Sequence, residues 1–284
     1  MNVNIYPCIW FDNDALAAAE FYSKAFADTK IVTASPMAVK FQIKEIDFMG
    51  LNGGPMFKAN PSISFYVTIE DLSELDHIWS VLISGGQELM PLGTYPWSQK
   101  YGWLQDKYGV SWQLSFGKKT DVGQSVCPSL MFTNAMNGYT TQAIDFYTSI
   151  FKDSSVVGIM KYEAGEPDIE GNVKHAQFKL LDQVFMAMDS SISHQFIFNE
   201  GISLVVECNT QEEIDYYWTK LTEGGAEVQC GWLKDKFGVS WQIVPSILPV
   251  LMSDSEKAPK VIAAFMQMIK FDIAALEAAA NAKV

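Results

Sequence analysis

Residues 102–113 read GWLQDKYGVSWQ, and residues 231–242 read GWLKDKFGVSWQ. Ten of the twelve positions are identical, and the two changes, Gln105 to Lys234 and Tyr108 to Phe237, are mild. Identity over that length marks an internal duplication, and the landmarks around it extend the match. Phe21-Tyr22 followed by Phe26 recurs as Phe146-Tyr147 followed by Phe151. Trp79 and Gly85-Gly86 recur as Trp218 and Gly224-Gly225. The order is the same, so the whole unit is written twice, joined through the polar stretch GKKTDVGQS at 117–125. We expect domains at 1–117 and 126–250, a linker at 118–125 and a C-terminal helical extension at 251–284.

Within the first copy the hydrophobic period switches in a regular way. Residues 4–11 are strand-like, and 12–26 then carry Ala18, Phe21, Tyr22, Ala25 and Phe26 at helical spacing behind Asp and Asn capping candidates. Short strands are predicted near 31–34, 39–43 and 48–51, before a Gly-Gly-Pro break. The series then restarts. A strand at 63–69 precedes a helix opened by Asp71, with Leu72, Leu75, Trp79 and Leu82 as its stripe. Strands near 87–90, 102–105 and 111–116 close the copy around a turn at 106–109. Thr210 with Glu213 forms a capping box in the second copy, and Asp71 with Glu74 is its counterpart. The paired glycines supply a helix C-cap with positive φ. Residues 87–101, with Tyr95, Pro96 and Trp97, read as a long loop, either a binding lid or a plain cover. Each copy is thus βαβββ twice. Residues 259–284 form one amphipathic helix, with Val261, Ile262, Phe265, Met268, Ile269, Ile273 and Leu276 on its apolar side, packing across the body.

The length of 284 residues suits two domains, and 49% hydrophobic residues provide for a sizeable core. Thirty-three acidic residues against 20 basic ones give a net charge of −13, which opposes attraction to nucleic acid or anionic lipid. All 20 cations are lysines, so no guanidinium fork is present to clamp a phosphate or carboxylate. Cys8, Cys127, Cys208 and Cys230 are scattered without metal-ligand spacing and fit a reducing compartment. The first lysine is Lys24 and no apolar run is long enough to span a bilayer, so we expect a cytoplasmic protein without a leader or membrane segment.

The motifs Pro128-Ser129-Leu130-Met131-Phe132, Ala143-Ile144-Asp145-Phe146-Tyr147, His175-Ala176-Gln177-Phe178, the stretch 230–238 and Phe271-Asp272-Ile273-Ala274-Ala275-Leu276 together span essentially the whole chain. Through them the sequence resembles the PhnB-like branch of the vicinal oxygen chelate superfamily, also labelled "3-demethylubiquinone-9 3-methyltransferase-like". That superfamily includes glyoxalase I, bleomycin-resistance proteins and extradiol dioxygenases. The resemblance implies an α+β fold: two tandem glyoxalase/bleomycin-resistance-like domains, each a pair of βαβββ modules with curved mixed sheets. It also implies that the two copies pair internally as a pseudo-dimer. Homodimerisation is left open, with the apolar C-terminal helix as the candidate surface.

The metal enzymes of the superfamily take His or Glu from the first, fifth and eighth strands. By hand alignment those positions hold Pro7, Ser62 and Gln113 in the first copy, and Pro128, Gly201 and Gln242 in the second. This donor set does not suit a divalent metal, so we expect neither a metal nor another cofactor. Methyltransfer is not expected either, because the glycines follow helices instead of opening a phosphate or nucleoside loop after a parallel strand.

Histidines are the first candidates for acid–base work. His77 reads as a surface residue. His175, with Asp189 and His194, forms a candidate polar cluster that the first copy lacks, since Ala38 and Asn52 stand opposite His175 and Asp189. Of Trp103 and Trp112, and of Trp232 and Trp241, one of each pair fills the core, or the motif supplies an aromatic wall for a ligand. The Asp of each DK(Y/F)G is explained by turn chemistry. The expected function is metal-free binding of a small neutral or cationic molecule in the second copy, with His175, Asp189 and His194 as orienting groups and Phe196, Phe198 and Trp232 as walls. The alternative is an enzyme using histidine acid–base chemistry.

Overall fold

The computed structural model describes residues 3–282. Four βαβββ modules follow one another. The first holds β1 (Asn4–Phe11), α1 (Ala15–Ala25), β2 (Lys30–Ala34), β3 (Ala38–Ile43) and β4 (Ile46–Asn52). The second holds β5 (Ile63–Ile69), α2 (Leu72–Leu82), β6 (Gln87–Tyr95), β7 (Ser98–Gln105) and β8 (Ser111–Phe116), and a short α3 (Lys119–Val122) lies in the linker. The third holds β9 (Val126–Thr133), α4 (Thr140–Ile150), β10 (Ser155–Lys161), β11 (Val173–Leu180) and β12 (Gln183–Ser190). The fourth holds β13 (Ile202–Cys208), α5 (Gln211–Leu221), β14 (Ala226–Glu227), β15 (Trp232–Lys234) and β16 (Ser240–Pro245), followed by α6 (Leu248–Met252), α7 (Ala258–Phe265) and α8 (Ile273–Asn281).

The chain divides into two compact units, one of residues 6–202 and one of 203–282 with 3–5. The larger contains an eight-stranded mixed sheet in the order β10-β11-β12-β9-β5-β8-β7-β6. At its centre β5 runs antiparallel to β9, with Ser64 opposite Ser129 and Tyr66 opposite Cys127. This pair joins the second module of the first copy to the first module of the second, so the sheet is built from both copies. The larger unit also carries β1-β4-β3-β2, and the smaller carries β14-β15-β16-β13. In every module the first and last strands are parallel, because the helix and the hairpins together carry the chain back across the sheet.

Strand alternation assigns the faces. Phe65, Val67, Trp112 and Leu114 are fully buried on the face that the helices cover. There Tyr22 of α1 stacks on Phe41 and meets Trp112 edge-on at 5.3 Å, while Phe48 packs against Phe65 at 4.9 Å and Phe65 against Trp112 at 5.2 Å. Burying each such ring is worth roughly 2–3 kcal/mol, and together they tie α1, β3, β4, β5 and β8 into one core.

The two members of each glycine pair have different jobs. Gly85 (φ 79°) and Gly224 (φ 74°) take the left-handed conformation that ends the helix. Gly86 and Gly225 are needed for close approach: a Cβ there would lie 2.3 Å from the Gln105 carbonyl and 2.0 Å from that of Lys234.

Four expectations are corrected. First, residues 87–101 do not form a loop; β6 and β7 make a long hairpin turned at Pro96-Trp97, its ladder interrupted by several register shifts. Tyr95, Trp97 and Tyr101 pack ring against ring across it at 5.0 to 5.7 Å, an aromatic cluster that favours strand over loop. Second, the C-terminal extension is not one helix. Between α7 and α8 the carbonyls of Met268 and Ile269 accept hydrogen bonds from the N–H groups of Cys230 and Gly231, and Asp272 then caps α8 through the N–H of Ala275. The tail thereby serves the strand edge that the short β14 leaves bare. Third, Asp71 caps α2 through the N–H of Glu74, but the Glu74 carboxylate turns to Lys44 at 2.6 Å instead of closing a box. Fourth, Asp14 makes no side-chain cap on α1; Asn52 of β4 accepts from the N–H of Ala15 in its place.

Candidate functional site

Register defines the second face of the eight-stranded sheet. Ser64 lies opposite Ser129, Met186 pairs with Ser129, and Gln177 pairs with Met186, so these residues share the face away from the helices. Two residues further along their strands, His175, Met188, Met131 and Ser190 follow on the same face. Met160 of the edge strand β10 lies directly opposite His175.

The linker covers one end of this face. Val122 packs with Tyr66, Cys127, Val184 and Met186, its carbonyl accepts from Gln177 Nε2 at 2.7 Å, and Gln124 bonds both the carbonyl and the N–H of Val184. Burial there pushes the Cys127 thiol up to about 12 and leaves it unreactive. Towards β7, Tyr101 donates to Gln113 Oε1 at 2.7 Å, Gln113 Nε2 donates to Ser64 Oγ at 2.8 Å, and Trp103 Nε1 donates to Ser111 Oγ at 2.7 Å. The end carrying His175, Met188, Met131 and Ser190 lies beyond the linker and this network; Met131 and Ser190 are buried there, and His175 and Met188 are half-buried.

His175 is half-buried on β11, and burial lowers its pKa. His194, in the loop after β12, has its Nε2 2.8 Å from Ser190 Oγ, and its ring lies 4.7 Å from that of Phe196. Burial lowers its pKa as well, so both rings are neutral at pH 7. Phe196 is fixed through its carbonyl, which accepts from Thr133 Oγ1 and Asn134 Nδ2. Phe198 is buried and packs edge-on against Phe132 at 5.1 Å, a core position.

Asp189 lies on the opposite face, in register with Phe132. Its carboxylate accepts from the N–H groups of Gly138, Thr140 and Val173 and from Thr140 Oγ1 at 2.7 to 3.3 Å. It anchors the start of α4 as Asn52 anchors the start of α1. The pairing of Asn52 with Asp189 in the two copies therefore marks equivalent caps. Trp232 belongs to the smaller unit, on β15, half-buried and opposite Gln242.

The tryptophans of the motif divide as the core reading has it: Trp112 and Trp241 are fully buried, whereas Trp103 and Trp232 are partly exposed. The two motif aspartates do more than form turns. Asp106 Oδ1 accepts from the N–H groups of Tyr108 and Val110, and Oδ2 accepts from Trp112 Nε1 and the Tyr22 hydroxyl. Burial outweighs these bonds and raises its pKa to about 6. Sequence reading missed the indole half of this arrangement, although the constant spacing from Asp106 to Trp112 and from Asp235 to Trp241 carries it. His77, exposed on α2, donates from Nε2 to the Lys24 carbonyl at 2.8 Å.

The hand-aligned ligand positions do not converge. Pro128 is in register with Phe65, which puts it on the helix-covered face, and Pro7 occupies the same place on β1. Gln113 and Gln242 are buried and donate to Ser64 and Ser203 at 2.8 and 2.9 Å. As donors these residues do not fit the divalent ion of the superfamily's metal enzymes, and no group of three His, Cys, Asp or Glu side chains gathers among the described residues.

A family model described as 3-demethylubiquinone-9 3-methyltransferase matches residues 3–115 and 124–244. The chain belongs to this family. A PhnB protein from Bacillus cereus is 35% identical over 39% of this chain and 98% of its own, with a TM-score of 0.37. Glyoxalase I from Zea mays is 12% identical over 89% of this chain and 97% of its own, with a TM-score of 0.59, a likeness of fold. No curated protein matches. The family model thus matches both copies of the duplicated unit, and the fold of the chain is glyoxalase-like. No helix among the described residues is long and apolar enough to cross a membrane.

Proposed function

We propose that the chain is a small-molecule binding protein that works without a metal, with its site on the eight-stranded sheet around His175 and His194. The observation that carries this reading is the placement of His175 between Met160 and Met188, on the face that also bears Ser190 and its partner His194. Methionines adapt to irregular apolar shapes, and two neutral imidazoles supply a donor and an acceptor that orient a ligand. The net charge and the absence of arginine favour a neutral or cationic ligand. Asp189 faces away from this site and holds α4, and Phe196 borders the site through His194. Trp232, half-buried on β15 of the smaller unit, is not part of the proposed site.

The catalytic reading has one observation of its own, the 2.8 Å contact between Ser190 Oγ and His194 Nε2, which is a nucleophile–base distance. Among the described residues no carboxylate orients the other ring nitrogen, and this favours binding over acyl transfer. Native mass spectrometry of the full chain, purified without added histidines, tests the proposal. A retained small molecule is expected in the wild type and in His77→Ala, and is expected to be lost in His175→Ala and Met188→Ala. Equal retention in all four proteins would overturn it, and labelling of Ser190 by a fluorophosphonate would instead establish the catalytic reading.

A further inference from the structure

A cleft of about 520 Å³ lies in the larger unit where the end of β1 meets the turn between β7 and β8, and Trp10, Phe57 and Tyr108 are among its lining residues. Its volume is within the range of small-molecule sites. The aromatic wall is fixed before anything binds: Trp10 Nε1 donates to the Gly54 carbonyl at 2.7 Å, and the indole meets Phe57 edge-on at 5.1 Å. A Cβ on Gly53 would strike that indole at 2.1 Å, so the backbone is also shaped around it.

Four charged side chains line the same cleft, Asp12 and Asp14 on one strand–helix junction and Lys58 and Lys107 from two other segments. None of the four enters an ion pair among the described residues. Lys107 rests its ammonium over the rings of Phe21 and Tyr108, at 4.5 and 5.0 Å, and Asp14 makes no cap bond although it stands at the N-cap of α1. Among the described residues Asp12 accepts one side-chain bond, a long one from Asn13 at 3.3 Å. Opposite charges that border one cleft without neutralising each other leave the space between them to a ligand that carries both.

We infer that this cleft binds a small zwitterion with a flat aromatic body, of amino-acid to dipeptide size. Its ammonium is met by Asp12 and Asp14, its carboxylate by Lys58 and Lys107, and its ring by Trp10, Phe57 and Tyr108. The site is independent of the one at His175. The second copy lacks it in this form, since Tyr108 is replaced by Phe237 and Trp10 by Met131 at the corresponding strand position.

Calorimetric titration of the full chain with L-phenylalanine, L-phenylalanyl-L-phenylalanine, phenethylamine and 3-phenylpropionate tests this inference. Both zwitterions are expected to bind roughly tenfold more tightly than either singly charged analogue, the scale of one charge-assisted contact. Asp14→Asn, Asp12→Asn and Lys107→Met are each expected to bring the zwitterions down to the analogues' level, and His175→Ala is expected to leave them unchanged. Equal affinity for all four probes, no binding by any of them, indifference to the three cleft variants, or loss in His175→Ala would overturn it.

Discussion

Asp106 accepts from the N–H of Tyr108 at 2.8 Å, from that of Val110 at 3.0 Å and from the Trp112 indole at 2.9 Å; Asp235 accepts from Phe237, Val239 and Trp241 at 2.8, 3.1 and 2.8 Å. Around these near-identical centres the two copies part. In the first, Trp103 donates to Ser111, Tyr101 donates to Gln113, and a long hairpin extends beyond them. In the second, the hairpin shrinks to two short strands, the C-terminal tail supplies backbone acceptors to Cys230 and Gly231, and the Ser240 hydroxyl is buried with no partner among the described residues. The duplication thus retained the part that organises the core and let the strand edge and its polar face diverge, and the cleft of the first copy opens beside the retained turn, where Trp10 and Tyr108 replace Met131 and Phe237.

The comparison breaks first at the aspartates. Asp106→Ala and Asp235→Ala each leave two buried N–H groups and an indole without an acceptor, and each is expected to cost about 3–5 kcal/mol in denaturant unfolding of the full chain. A loss below about 1 kcal/mol in either one would show that the two centres are not equivalent.

Protonation is the next largest effect. The folded pKa of Asp106, about 6, is above the ordinary aspartate value of 3.8. Its contribution is therefore complete below pH 3.8 and is lost as the pH rises through 6, a change on the order of 3 kcal/mol. The lowered pKa values of His175 and His194 act in the opposite direction: their contribution is present above the unfolded value of 6.5 and is lost as the pH falls. Between pH 4 and 7 the wild type is expected to lose stability relative to Asp106→Asn by about that amount. Parallel stability curves for the two proteins would refute a raised carboxylate.

What was legible in the sequence follows the same division. The duplication, the βαβββ order and a core tryptophan in each motif were readable because hydrophobic period and repeated landmarks report directly on what is buried, whereas which tryptophan it is, Trp112 in one motif and Trp241 in the other, rests on strand register. The long β6–β7 hairpin was not, since Pro91, Gly93 and Pro96 read as loop residues and only cross-strand packing of Tyr95, Trp97 and Tyr101 overrides them. The break between α7 and α8 carries no glycine or proline; it follows from backbone bonds to residues far away in sequence. Asp189 was misjudged for a related reason. Its role as a helix cap depends on a strand and a helix meeting in space, and residue type alone does not separate a remote cap from a ligand contact.

Close packing ranks third. Gly86→Ala and Gly225→Ala place a methyl group against a backbone carbonyl with no flexible end to yield, and each is expected to cost about 1–3 kcal/mol. Gly93→Ala, with nothing within 4 Å of the added carbon, serves as the control within the hairpin and is expected to change stability by less than about 0.5 kcal/mol. Thermal unfolding of the three variants side by side checks both figures, and a harmless Gly86→Ala would mean that the turn after β7 yields.

The smallest expected effect is also the one that separates the copies most cleanly. Ser111 and Ser240 occupy the same motif position, both fully buried, yet Ser111 accepts the Trp103 indole and Ser240 has no partner among the described residues. Removing the Ser111 hydroxyl strips a half-buried N–H of its acceptor, so Ser111→Ala is expected to cost about 1 kcal/mol. Removing the Ser240 hydroxyl relieves a desolvated group that gains nothing in return, so Ser240→Ala is expected to be neutral or stabilising by up to about 1 kcal/mol. The sign of the difference is what matters. Equal losses at the two positions would mean that Ser240 is held by an ordered water molecule that takes the place of the indole, and the polar faces of the two copies would then be alike in energy although they differ in their bonds.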